Sequence, residues 1–468
     1  MSTIARSRGR MSTSSALQQF LSRLGPDGVL ACTCGRHHGV QVKQVLIGED
    51  ALRQSAHLLR TQWGQSPTIW VLSDEHTEAA AAERWKTSVH AGRLIARILP
   101  GVPRPVPTLA LAQELAAEVR AASPELLVGV GSGVISDLVK KVSLDTGVPN
   151  WCIATAPSVD AYSSTTAALR LQGYHQAVPA RPSEVIVGDL EVLARAPRLL
   201  FLAGLGDLLA KYLAHLDWHL ARLVTREAFC APLAGLALDS AREALTAARA
   251  WRTQPLEAVR ALTEAALASG FAMQAVGSSR PAASAEHTIA HFWEMAGAVA
   301  EEEKDLHGLL VGAACRLVLP GYVGWYRQLG KVEVDVDARL TALEQAPPWH
   351  ERLEAAMVPF RHKIEGEMRG RTFDRQALAQ RLDAFARQRD VLQGMAEPLL
   401  KELADAIALL ERIGFPFALE ELGIDARHGM PPVRHARLLR NRYTTFDLAH
   451  ELGQEDALLG LISRGALE

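Results

Sequence analysis

From residue 43 onward, short apolar runs alternate with longer stretches of mixed polarity. Residues 44–47 read as a strand and 51–63 as a helix; 68–72 is again strand-like, followed by a helix through roughly residue 86. Residues 94–99 form a third expected strand, 108–122 a helix rich in Ala, Leu and Glu, 126–130 a fourth strand and 150–154 a fifth. The fourth run is continuously apolar rather than alternating, the mark of a strand buried on both faces. Strands that alternate with helices in this way predict a parallel sheet covered on both sides.

Past Pro197 the texture changes. Ala/Leu-rich stretches at 199–222, 232–252, 256–277, 305–319 and 374–413 have helical spacing and little strand signal. The expected organisation is an N-terminal extension over 1–40, an α/β dinucleotide-binding domain over 41–195, and an all-helical domain over 196–468, with the boundary in the Pro/Arg-rich run 194–198. The apolar run 309–323 is interrupted by Arg316 and Pro320, so it reads as a buried helix short of a membrane span.

Composition narrows the function classes. A net charge of -2 gives no global reason to expect nucleic acid or an anionic membrane as partner. Five scattered cysteines in 468 residues make no disulfide framework and fit a reducing cytoplasm. Residues 1–26 hold four arginines and no acid before Asp27 but lack an apolar signal core, so they are expected to form a loose extension, and Met11 is an alternative start. Cys32-Thr-Cys-Gly-Arg-His-His38 could bind a metal through two thiolates and an imidazole, but Cys-x-Cys is a poor match to the usual zinc spacings and no second Cys pair follows nearby, which favours a plain turn before the first strand; Cys152 reads as inert core.

The fourth strand runs into Gly129-Val-Gly-Ser-Gly-Val-Ile-Ser-Asp-Leu-Val-Lys140. Glycines at 129, 131 and 133 let backbone amides approach a pyrophosphate, and the helix starting there directs its N-terminal dipole at the same charge. The spacing is GxGxG, and the loop follows the fourth strand rather than the first, unlike an ordinary Rossmann fingerprint. Asp74, at the end of the second strand, is either the ribose-binding acid, which would favour NADH over NADPH, or a helix N-cap.

One carboxylate and two imidazoles stand out downstream. Asp207 lies in Ala203-Gly-Leu-Gly-Asp-Leu-Leu-Ala-Lys211, His287 in Glu286-His-Thr-Ile-Ala-His-Phe-Trp-Glu294, and His307 in Lys304-Asp-Leu-His-Gly308. Three protein ligands leave coordination positions open for a substrate oxygen, as a Lewis-acid catalyst requires. His287 and His291 are four apart, so a helix projects them from one face about 6 Å apart. A plain helical stripe produces the same spacing.

Taken together and in order, these segments resemble the iron-containing alcohol dehydrogenase and dehydroquinate synthase-like superfamily. Within it the chain is similar to the sn-glycerol-1-phosphate dehydrogenases. The matching motifs are Gly131-Ser-Gly-Val-Ile-Ser-Asp137, Thr155-Ala-Pro-Ser-Val-Asp160, Gly204-Leu-Gly-Asp207, Ser279-Arg-Pro-Ala282 with Glu286-His287, His307-Gly308 and Arg440-Asn-Arg-Tyr-Thr444, spanning about residues 40–455. The resemblance implies a dehydroquinate synthase-like fold of two domains, with a nicotinamide cofactor and a divalent metal (zinc, nickel or iron) in the cleft. It implies Asp207, His287 and His307 as metal ligands, Asp207 also touching substrate. His291 and Asp160 become substrate contacts and catalytic residues. Gly131, Gly133, Val134, Ile135, Ser136, Asp137, Thr155, Ala156, Pro157, Ser158 and Ser164 become cofactor contacts. The implied reaction is reversible NAD(P)H-dependent reduction of dihydroxyacetone phosphate to sn-glycerol 1-phosphate, by a cytoplasmic homodimer or larger oligomer with no nucleic-acid or membrane partner.

The chain departs from the family pattern at two places: Ala161 replaces a glycine, and Pro281-Ala-Ala-Ser-Ala285 replaces Pro-Ala-Ser-Gly. Both are expected to line the site and to add a Cβ. The acidic run 300–305 reads as solvated surface. For a substrate phosphate, Arg434, Arg437, Arg440 and Arg442, expected on one helix, compete with Arg280 and Lys211. The rival readings are a glycerol or other polyol dehydrogenase, a dehydroquinate synthase-like cyclase, and a non-catalytic NAD-binding relative.

Overall fold

A short antiparallel hairpin, β1 (Val29–Ala31) and β2 (His37–Gly39), precedes the main sheet in the computed structural model of the chain. The sheet strands are β3 (Gln44–Gly48), β4 (Thr68–Asp74), β5 (Arg93–Leu99), β6 (Leu126–Gly131), β7 (Asn150–Ala154) and, after the hairpin β8 (Thr166–Leu171) and β9 (Tyr174–Pro179), β10 (Val185–Asp189). The described residues are 15–64, 66–171, 174–296, 306–371 and 373–465. Residues 1–14 of the expected extension and the acidic run 300–305 therefore fall wholly or largely outside them.

All six strands are parallel, in the order β3-β10-β7-β6-β4-β5. Every residue of β6, β7 and β10 is buried, which is why β6 and most of β7 read as apolar runs without alternation. The edge strand β5 is mostly exposed and correspondingly mixed, Arg-Leu-Ile-Ala-Arg-Ile-Leu. The expected strands stand where the pattern put them. The sixth, β10, was not anticipated, because its apolar stretch is only Val185-Ile-Val187 before Gly188-Asp189.

The chain divides into two compact units. The first holds the described residues up to Leu208 together with Gly235–Ser279, and the second holds Leu209–Ala234 with the described residues from Arg280 onward. Helices over 235–279 thus belong with the sheet. The helix Ala16–Ser22 does as well: it starts at Ser15, whose side chain accepts from Gln18 N, and it buries Leu17 and Phe20. The Phe20 ring lies 6.0 Å from that of Phe271, and Ala16 N donates to Glu243. Residues 15–39 are folded rather than loose.

Glycine at 204 is dictated by a close approach. A Cβ there would sit 1.9 Å from the carbonyl oxygen of Pro157, so the helix Arg198–Thr225 meets the loop after β7 without a side chain between them. Gly270 plays the same part on the helix Pro255–Val276, where a Cβ would come within 2.5 Å of Asp160 O.

In the second unit, helices Ala285–Met295, His307–Gln328 and Arg375–Arg412 surround a core with Phe292, Trp293, Tyr322 and Tyr326. Asp217 anchors the start of the first of these. Its buried carboxylate accepts from Ser284 Oγ, Tyr322 OH (3.1 Å), Thr445 N (3.0 Å) and Thr445 Oγ1 (2.6 Å). Ser284, one of the departures from the family pattern, is a structural strut. Burial raises Asp217 to about 6 against the lowering effect of these donors.

The run over 309–323 does not stop short of a span, contrary to the reading from Arg316 and Pro320. Two helices, Arg198–Thr225 and His307–Lys331, are long and apolar enough to cross a membrane by length and composition. Both are core helices, with 83% and 72% of their most apolar windows buried inside the protein.

Two outcomes are expected. Gly204→Ala should destabilise the protein by about 2–3 kcal/mol, the scale of overpacking a close contact; denaturant unfolding checks it, and unchanged stability would refute the contact. Asp217→Asn strands buried donors and should cost about 2–4 kcal/mol at low pH. A carboxyl raised in the fold contributes stability that is complete below its unfolded pKa and is lost as pH rises through about 6. Wild type should therefore lose its advantage over Asp217→Asn between pH 4 and 7; a gap that widens would contradict the assignment.

Candidate functional site

In the first unit, chain direction defines a crevice. From β4 the chain moves outward to the edge strand β5, whereas from β6 it moves the other way, to β7 and then β10. Adjacent strands whose connections diverge form a topological switch point, where ligands of open α/β sheets bind beyond the carboxyl ends. Leu72 pairs with Gly129, so Asp74 and Gly131, each two residues further, end at the same height on neighbouring strands. Gly131 pairs with Ala154, and Thr155 N donates to Gly131 O (3.2 Å), which brings Thr155, Ala156, Pro157 and Ser158 to the same rim. The helix Gly133–Thr146 opens there on Ser132, with its first amides at the crevice.

The glycines act partly through packing. A Cβ on Gly131 would lie 2.6 Å from Ile135, and one on Gly129 would lie 3.0 Å from Val139, so both let the helix lie close on its strand. A Cβ on Gly133 would meet nothing nearer than 3.5 Å. Val134 is half-buried on the same turn, while Ile135 and Ser136 are buried. Asp74 forms a reciprocal capping box with Thr77: its Oδ1 accepts from Thr77 N (2.8 Å), and its N–H donates to Thr77 Oγ1 (2.9 Å). The N-cap alternative is thus realised in the structure.

Asp137 and Ser164 point into the protein. Lys140, fully buried, extends its Nζ to Asp137 Oδ1 (2.9 Å), Ala161 O (2.7 Å) and Thr166 O (2.7 Å). Asp137 Oδ2 accepts from Ala168 N (2.9 Å), and Ser164 Oγ donates to Ala161 O and Thr166 O. This knot supports the rim from beneath. Ala161 enters this knot through its carbonyl oxygen. Asp160 and Asp207 meet directly: Asp160 N donates to Asp207 Oδ2 (3.2 Å), and Ser269 Oγ donates to Asp160 Oδ2 (2.8 Å).

In the second unit, the helix Ala285–Met295 presents His287 and His291 from one face, ring centroids 6.4 Å apart. His307, at the start of the next helix, lies 5.3 Å from His287 and stacks on His291 at 4.5 Å. Two buried carboxylates that sequence reasoning quoted but gave no role orient all three rings. Glu294 accepts from His307 Nδ1 through Oε1 (2.8 Å) and from His291 Nδ1 through Oε2 (2.9 Å). Glu286 Oε1 accepts from His287 Nδ1 (3.0 Å) and Ser284 N (2.6 Å). The overlooked signal was spacing: Glu294 follows His291 by three on the same helix.

A carboxylate only accepts, so each Nδ1 carries the hydrogen and each Nε2 keeps its lone pair. That is the carboxylate–histidine arrangement that prepares imidazole for a metal. Burial raises the Glu294 pKa, but His307 and His291 together outweigh it and hold the carboxyl well below its usual range. His291 is lowered to about 4, first by burial and then by His307, although a third of its side chain reaches solvent.

The basic residues separate. Arg434 pairs at the surface with Glu354, and Arg437 pairs with Glu455. They do not share a helix with Arg440: a single turn Pro431–Arg434 is followed by a 3-10 turn Ala436–Leu438. Lys211 is buried and donates to Ala282 O (3.2 Å). Arg280 grips Glu227 and donates to Tyr443 O (3.0 Å). Arg442 donates to Ala283 O; burial lowers its pKa, and the neighbouring charges of Arg440 and Arg280 lower it further.

Comparison with known proteins agrees with this layout. Residues 46–197 match the family model described as iron-containing alcohol dehydrogenase. A solved structure described as a probable glycerol dehydrogenase from Sinorhizobium meliloti superposes with a TM-score of 0.55 at 18% identity, over 90% of this chain and 98% of that one, and so shares the fold. A glycerol-1-phosphate dehydrogenase [NAD(P)+] of Bacillus licheniformis is 26% identical over 92% of this chain and 94% of its own. The enzyme of that name from Hyperthermus butylicus is 31% identical over 66% of this chain and 86% of its own. At 31% identity over 86% of one such relative, the chain belongs to the glycerol-1-phosphate dehydrogenase family.

Proposed function

We propose that the protein interconverts dihydroxyacetone phosphate and sn-glycerol 1-phosphate with NADH or NADPH, using one divalent cation held by Asp207, His287 and His307. The observation that carries this reading is the pinning of His287 and His307 through Nδ1 by Glu286 and Glu294, which leaves two Nε2 donors ready. With a carboxylate they make a borderline N/O donor set, suited to zinc, nickel or iron. The cofactor belongs at the crevice beyond β4 and β6, where the amides at Gly133 meet a pyrophosphate and Asp74, whose Oδ1 caps the following turn, offers Oδ2 to the ribose. When bound, the cation supplies Lewis acidity to a carbonyl oxygen and the nicotinamide supplies hydride.

The chain's own residues then divide the remaining work. Asp160, steadied by Ser269 and by its backbone bond to Asp207, accepts hydrogen bonds from substrate hydroxyls. His291 has its Nδ1 committed to Glu294, so Nε2 is the proton acceptor. It takes the hydroxyl proton of sn-glycerol 1-phosphate in the oxidative direction, and in the reductive direction the same Nε2 returns that proton to the oxygen that was the carbonyl. Arg440 and Arg442 supply positive charge for the phosphate. Their mutual repulsion favours a dianionic ligand beside them. Arg280 positions their segment through Tyr443 O.

Assay of dihydroxyacetone phosphate against unphosphorylated dihydroxyacetone with NADH, and of glycerol with NAD+ in the reverse direction, tests the reading; activity on the unphosphorylated compounds alone would overturn it. Glu294→Gln should weaken metal affinity or turnover about 10–100-fold, the usual cost of losing such a partner. Metal titration and steady-state kinetics check this, and wild-type values in both would contradict it. Arg442→Ala should raise KM for dihydroxyacetone phosphate about tenfold or more, as for loss of a charged hydrogen bond, while leaving the weak turnover of dihydroxyacetone unchanged. Equal losses on both substrates would refute a phosphate contact.

A further inference from the structure

The tip of the β1–β2 hairpin gathers three metal-ligating side chains. The β1–β2 register sets Leu30 opposite His38, which turns His38 inward until only 5% of it is exposed. The connecting residues 32–36 fold back over it. Gly35 N donates to Cys32 O (3.0 Å), Cys32 N donates to Arg36 O (3.2 Å), and Gly35 takes the left-handed conformation, φ +81°. This tight turn brings Cys34 Sγ to 3.2 Å from His38 Nε2. The ligand atoms of Cys32, Cys34 and His38 all lie within 4.8 Å of one another.

The histidine is prepared in the same way as those of the second unit. His38 Nδ1 donates to the carbonyl of Ala275 (2.8 Å), which fixes the tautomer and leaves the Nε2 lone pair facing the sulfurs. A tetrahedral cation with bonds of about 2.3 Å to sulfur and about 2.0 Å to nitrogen separates those atoms by about 3.5 Å. The observed separation is close to that. A hairpin with three residues per strand is marginal by itself, and a metal clip at its tip would hold it.

We propose that Cys32, Cys34 and His38 form a structural metal site for a thiophilic divalent cation of the zinc class, independent of the ion assigned above to Asp207, His287 and His307. The sequence offered two thiolates and an imidazole here but favoured a plain turn on the Cys-x-Cys spacing; the β1–β2 register is what returns the His38 side chain to the sulfurs.

Cobalt(II) substitution of the full-length protein tests this, because thiolate ligation adds a sulfur-to-cobalt charge-transfer absorption that a His/carboxylate site lacks. The wild type should show the band and an additional equivalent of bound metal. Cys32→Ser with Cys34→Ser should lose both, lower Tm, and keep its turnover of dihydroxyacetone phosphate. His287→Ala should retain the thiolate band, so the outcome here stays distinct from that of the proposed catalysis. If the double variant does not fold, the wild-type spectrum and His38→Gln decide alone. A wild type without the band, or mass spectrometry showing Cys32 and Cys34 joined as a disulfide in the purified protein, would overturn the site.

Discussion

Two buried carboxylates determine which nitrogen of each histidine faces outward. Glu294 spans His307 and His291 with its two oxygens, and Glu286 holds His287 while also receiving the Ser284 amide. Without these acceptors the rings could flip and present a hydrogen in place of a lone pair. The cost of burying Glu294 is offset by the two imidazoles on either side, so the arrangement holds together as a unit. Its frame is the start of the helix Ala285–Met295, tied down by the contact of Ser284 with Asp217.

The first unit solves a different problem with backbone geometry. Diverging connections from β4 and β6 open a crevice beyond the carboxyl ends of these two interior strands. Glycines at 129 and 131 draw the following helix onto the sheet, and Gly204 draws the helix of Asp207 onto the loop that ends in Asp160. The Lys140 knot then holds the rim residues from below. Rigid support beneath a rim of backbone amides is what anion binding by preorganised dipoles requires.

Much of this was legible in the chain. Strands buried on both faces write themselves as unbroken apolar runs, so β4, β6 and β7 were readable, and the helix carrying His287 and His291 was readable from their spacing. β10 was not, because three apolar residues before Gly188-Asp189 carry too little periodicity to stand out from a loop. Asp137 and Ser164 belong to a motif that faces a ligand crevice, yet their side chains turn inward to Lys140. Sequence order does not encode that turn, since it depends on where β8 passes. The bond of Glu294 to His291 was signalled by their spacing of three, whereas its bond to His307 and that of Glu286 to His287 follow from ring orientation, which packing fixes. The resemblance to a known family supplied the grouping of Asp207 with residues 80 and 100 positions away, which no local pattern could.

On the reading proposed above, catalysis depends on a bound divalent cation. This dependence is tested most directly by dialysing the purified protein against a chelator, assaying NADH-dependent reduction of dihydroxyacetone phosphate, and adding zinc, nickel or iron back in graded amounts. Activity should fall to background and return as one cation binds per catalytic site. Undiminished activity in protein shown by elemental analysis to be free of metal would contradict it.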